Sequence, residues 1–99
     1  MALMEISVVP VGTASPSIGD YVAAAHRVAV QSGLPYVLGE FGTVIEGEPA
    51  ELLALAARIH AAPFEAGAKR VVTTIKLDQR MDKEVHVGDK AAAVQRRLE

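Results

Sequence analysis

The chain has 99 residues, 51% of them apolar but only 4% aromatic, with a formal charge of −2 and no cysteine. That length supports one domain, residues 1–99, around a single aliphatic core. The net charge of −2 and pI of about 5.9 argue against counterion-driven nucleic-acid binding, and the absence of cysteine excludes a disulfide framework, a thiolate nucleophile or a cysteine metal site.

No apolar run approaches the roughly 20 residues that cross a bilayer, and the N-terminus lacks a basic segment followed by an apolar run and a cleavage site. A cytoplasmic protein with no membrane partner is expected. The apolar content exceeds what a small monomer easily hides, so a homo-oligomer, at least a dimer, is expected too.

Leu3 to Val11 reads as a strand, with Met4, Ile6, Val8 and Pro10 on one face and Glu5, Ser7 and Val9 on the other. Pro10 lacks a ladder donor and marks an edge, a bulge or the strand's end. Gly12 to Pro16 is a loop. Ser17 followed by Asp20 resembles a capping box, and Ile18, Tyr21, Val22, Ala25, Val28 and Ala29 recur at helical spacing, so a helix is predicted over Ile18–Gln31. Gly33 should end it in a left-handed cap, and Pro35 prevents continuation.

Tyr36–Phe41 and Thr43–Glu46 are two short extended segments around Gly42, consistent with neighbouring antiparallel strands. Pro49 suits a helix's first turn, followed by Glu51, Leu52, Leu53, Leu55, Ala56 and Ile59. Pro63 predicts a kink or break before Phe64, with a stop near Gly67. Arg70–Asp78 alternates as a strand, Asp82–Asp89 is polar, and Lys90–Leu98 reads as a short terminal helix.

The order βαββαβ plus a terminal helix predicts an α+β, ferredoxin-like sandwich. Two helices cover one face of a four-stranded antiparallel sheet, and the other face is left for a subunit or a ligand. Val72, Thr74, Lys76 and Asp78 fall on the open face with Ser7 and Val9. Thr43 and Glu46 have opposite parity, so a regular strand sends at most one of them there.

The run Gly42–Glu48 (GTVIEGE) places a hydroxyl and carboxylates between glycines at the end of a short apolar strand, a pattern suited to ligand capture. Its plain alternative is a hairpin followed by a helix start, with Thr43 an ordinary strand residue and Glu46 an acid at a helix N-terminus. Ser7, Thr74 and Lys76 are further ligand candidates on the open face, where they serve interface hydrogen bonding equally well. Gly12 and Thr13 either close the same pocket or simply turn the chain. Ser17 is most simply a helix cap. Asp78, Arg80 and Asp82 read as a solvated face or a subunit salt-bridge network. His26, His60 and His86 show no metal-ligand spacing, and no nucleophile elbow, phosphate loop or dinucleotide fingerprint occurs.

Val9–Gly12 (VPVG), Ser17 with Tyr21-Val22, Ser32–Tyr36 (SGLPY), the GTVIEGE run, Gly67 with Arg70-Val71, and Lys76–Lys83 (KLDQRMDK) together resemble the small thiamine-binding protein family over nearly the whole chain. The resemblance implies homo-oligomers, dimers or tetramers of paired dimers, that bind thiamine or its hydroxymethylpyrimidine half, with no established reaction and no further cofactor. It also implies that Thr43 and Glu46, with the Gly42 and Gly47 backbone, read the aminopyrimidine edge. Glu40-Phe41 stands where similar proteins have a less acidic pair, and Pro63 where a helix former is usual. The expectation is a non-enzymatic binder that carries, buffers or senses the vitamin. Its rivals are a small enzyme acting on a heterocycle or carbonyl compound, with Glu46 or Asp78 as general base, and a structural assembly subunit.

Overall fold

Met4, Ile6 and Val8 alternate with Glu5, Ser7 and Val9, and the computed structural model, which describes Met1–Glu99, buries the first set under two helices and leaves the second on the far face. The elements are β1 (Ala2–Pro10), α1 (Gly19–Gln31), β2 (Tyr36–Leu38), β3 (Thr43–Gly47), α2 (Pro49–Glu65), β4 (Val71–Gln79) and α3 (Asp89–Leu98). The sheet order is β2-β3-β1-β4, every pair antiparallel, which is the ferredoxin-like sandwich that the element order predicts.

Met4, Ile6 and Ile45 from the sheet meet Ala25 and Ala29 of α1 and Leu52, Leu55 and Ile59 of α2. Burying each of the larger side chains stabilises the fold by about 1.5–3 kcal/mol. No helix is long and apolar enough to cross a membrane.

The register settles which residues share a face. Ile6 lies opposite both Thr43 and Ile75, and Glu5 opposite both Val44 and Lys76. Thr43, Ile45, Thr73, Ile75 and Leu77 therefore face the helices, whereas Ser7, Val44, Glu46, Thr74, Lys76 and Asp78 face away. The helices do not reach the far end of β4, so Ile75 and Leu77 stay 42% and 43% exposed on the covered side.

Three local readings change. No side chain caps α1: its N-cap is Ile18, and the backbone N–H of Ser17 instead donates to Ser15 Oγ at 3.0 Å. Gly33 does end α1 with φ of 76°, reinforced by Ser32 Oγ donating to the Ala29 carbonyl at 2.6 Å. β2 stops at Leu38 because Gly39 N–H donates to the Gly42 carbonyl at 2.9 Å and closes a turn. α2 runs unbroken through Pro63, whose ring is fully buried and falls in the last turn, where a missing N–H costs one hydrogen bond and the helix is about to end. Gly67, with φ of 108°, and the Ala68 N–H donating to the Pro63 carbonyl then finish it.

Candidate functional site

β1 has nine residues and β3 only five, and their pairing ends at Ile6–Thr43. Beyond Ile6, β1 keeps β4 on one side but has no partner on the other. The turn from Gly39 to Gly42 leaves the sheet at this point, and α1 passes above. The gap is a cavity of about 280 Å³, floored by Ile6–Val9, walled by Ile18, Val22, Ala25 and His26 of the α1 segment, and closed opposite by Leu38–Thr43. Its size is at the small end of ligand pockets and suits one flat heterocycle with its substituents.

Polar groups on this mostly apolar surface are few. Thr43 is 7% exposed, and its Oγ1 shares a hydrogen bond of 3.2 Å with Nδ1 of His26. The His26 ring in turn sits edge-to-face against Tyr36, with centroids 5.3 Å apart, so packing holds its orientation. The imidazole exchanges donor and acceptor roles with its tautomer, and the hydroxyl supplies both, so the pair matches the alternating donors and acceptors of an aminopyrimidine edge. Glu40 and Phe41 stand at the mouth, both exposed.

Gly42 serves its own chain. A Cβ there would lie 2.9 Å from the Ile6 carbonyl oxygen and 3.2 Å from Cγ of Glu5, so only glycine lets the turn cross β1 this closely. At Gly47 a Cβ would press on Leu34, Glu51 and Leu52 at 3.1–3.3 Å, which makes it a packing position between β3 and α2.

Glu46 is on the opposite face of the sheet from Thr43, so the two do not line one cavity within a protomer. It is only 6% exposed because the segment after β4 folds back over it. Oε1 accepts from the Val87 backbone N–H at 3.0 Å, and Oε2 lies 3.1 Å from Nδ1 of His86. The hydrogen bond to Glu46 and then its negative charge push the His86 pKa up, with smaller contributions from Asp89 and Glu84. Glu46 is therefore the anchor of the C-terminal segment, rather than an acid at a helix N-terminus, a position that falls to Glu48 at α2.

Of the other residues singled out in the sequence, Ser7 borders the cavity floor from β1. Thr74 lies opposite Ser7 across the β1–β4 ladder, exposed on the open face. Lys76 reaches Glu5 at 4.0 Å and Asp78 pairs with Lys90 at 3.2 Å, both in solvent. Gly12, with φ of 77°, and Thr13, whose Oγ1 donates to the Ser15 carbonyl at 2.6 Å, shape the loop that carries the chain to Ile18. Arg80 and Asp82 form a two-residue salt bridge, and the hydrogen bond from Arg80 holds the Asp82 carboxyl below the usual carboxylate range.

His26 is the site residue that the sequence reading overlooked. It lies four residues after Val22 and eight after Ile18, so the periodicity that marks the buried face of α1 also points it toward the sheet.

The sequence model of the family described as thiamine-binding protein matches residues 4–95. The YqgV protein of Bacillus subtilis is 35% identical over 100% of this chain and 99% of its own. The crystal structure of the hypothetical protein MJ1052 of Methanocaldococcus jannaschii superposes with a TM-score of 0.86 at 31% identity, covering 95% of each chain. A candidate thiamine biosynthesis/salvage protein of Thermotoga maritima shares the fold, with a TM-score of 0.80 at 22% identity over 94% of this chain and 97% of that one.

Proposed function

This chain belongs to the thiamine-binding protein family, and from that premise we propose that it binds thiamine or its hydroxymethylpyrimidine half, without converting it, in the cavity beneath α1. The observation that carries the reading is the Thr43–His26 pair, a hydroxyl and an imidazole held together on the wall of an otherwise apolar slot. The aminopyrimidine stacks against Ile6, Val8, Ile18 and Val22 and exchanges hydrogen bonds with that pair. Neither carboxylate that the sequence offers as a general base faces this slot: Glu46 lies across the sheet with both oxygens engaged, and Asp78 is in solvent beside Lys90.

Self-association belongs to the same reading. β4 is a nine-residue edge strand on which Val72, Ile75 and Leu77 are all more than 40% exposed, and a second copy would cover both the edge and its apolar side chains.

Calorimetric titration with thiamine and with hydroxymethylpyrimidine tests the proposal. Both should bind saturably, Thr43→Val should weaken both by about five- to tenfold for the loss of one hydrogen-bonding hydroxyl, and chromatography after long incubation should recover both compounds intact. No binding of either at millimolar ligand, or the appearance of a new product, would sink it.

A further inference from the structure

The turn between β2 and β3 sets two side chains at the cavity mouth that recognition of an aminopyrimidine does not use. Glu40 and Phe41 stand between Gly39 and Gly42 and border the cavity. Phe41 is 90% exposed, an unusual position for a large apolar ring with nothing to cover. The Glu40 carboxylate takes part in none of the ion pairs of the protein. No Lys or Arg borders the cavity at all. A ligand emerging from this slot therefore meets an unopposed carboxylate and an aromatic face, and no Lys or Arg.

We propose that Glu40 and Phe41 form a cation-recognising rim, which selects permanently cationic, unphosphorylated heteroaromatic ligands over neutral and phosphorylated ones. The inference rests on the reading that a pyrimidine ring occupies the buried slot at Thr43 and His26. In thiamine one methylene joins that ring to the thiazolium, so a pyrimidine in the slot brings the delocalised positive charge to the mouth. There the carboxylate attracts it, and the ring of Phe41, free to swing over it, adds a cation–π contact. A neutral pyrimidine gains nothing from either group. A phosphate ester would bring negative charge toward Glu40 with no Lys or Arg on the cavity wall to receive it.

The test is calorimetric titration of the full-length protein and of Glu40→Gln, Phe41→Ala and the double variant with thiamine, thiamine monophosphate and hydroxymethylpyrimidine. All three variants alter exposed turn positions, and circular dichroism confirms that each is folded. In the wild type, thiamine should bind about tenfold more tightly than hydroxymethylpyrimidine and at least fivefold more tightly than its monophosphate. The thiamine-to-hydroxymethylpyrimidine affinity ratio should fall about threefold in each single variant and close to one in the double variant. Glu65→Gln, which removes the same charge from a remote surface of α2, should leave the ratio at its wild-type value. Equal ratios in wild type and double variant, or a monophosphate that binds as well as thiamine, overturn the rim while leaving the slot in place. Failure of all three ligands to bind removes the slot and the rim together.

Discussion

Replacing Gly42 by alanine tests the claim that the cavity exists because the β2–β3 turn crosses β1 at backbone distance. The added methyl would sit 2.9 Å from the Ile6 carbonyl oxygen, where ordinary contact begins at about 3.4 Å, so turn and strand must separate by about 0.5 Å. The obstacle is backbone at the last β1–β3 ladder pair, which cannot rotate aside as a flexible side chain would. Overpacking of this kind costs about 1–3 kcal/mol, and the smaller entropy of an unfolded chain with alanine returns about 0.4–1 kcal/mol. The net destabilisation is about 1–2 kcal/mol, equivalent to a fall in thermal midpoint of about 5–15 °C for a domain of this size. The assay is thermal and urea unfolding at one fixed protein concentration, with Gly19→Ala as control. A Cβ at Gly19, the first residue of α1, meets nothing within 4 Å, so that variant should be as stable as the wild type or slightly more so. If Gly42→Ala unfolds at the same midpoint as Gly19→Ala, the close crossing does not constrain the turn and the account of how the cavity is built is wrong.

Two further outcomes follow from the packing and the charges. Leu52 is fully buried between the helices and the sheet, so Leu52→Ala should lower unfolding stability by about 3 kcal/mol, and a loss under 1 kcal/mol in urea titration would contradict its place in the core. The hydrogen bond to Glu46 raises the folded-state pKa of His86 above its unfolded value, so the stabilisation from this pair is fully present below about pH 6.5 and is lost as pH rises through the higher folded pKa. Proton exchange of the Val87 amide should therefore gain an extra acceleration across that window, beyond the intrinsic rise with pH, and an NMR titration midpoint for His86 at or below 6.5 would refute the assignment.

Much of the fold is legible in the chain itself. The period-two patterns of β1 and β4 give both faces of the sheet, and Gly33 and Pro49 mark helix boundaries through backbone geometry that no partner is needed to explain. The parity argument over Thr43 and Glu46 also holds, because the register sends them to opposite faces. The less legible parts depend on contacts remote in sequence. Glu46 is held by Val87, 41 residues later, and no local pattern signals that a polar stretch will return to a buried carboxylate. Pro63 reads as a helix breaker because propensity is local, whereas its burial in a final turn is a tertiary fact. The cavity arises from the unequal lengths of β1 and β3, and so from a strand partner that is missing rather than from any motif.

The attachment at Glu46 has a practical consequence for anyone who would shorten this protein. Everything after Met81 looks dispensable by the measure of core packing, since α3 buries none of its side chains. Ending the polypeptide there would nevertheless remove the amide and imidazole partners of the Glu46 carboxylate and uncover the sheet face around it to solvent. A trimmed sample should be cut no earlier than Asp89, whose Oδ2 accepts from the His86 N–H at 2.9 Å and so holds the strap in the shape that reaches Glu46.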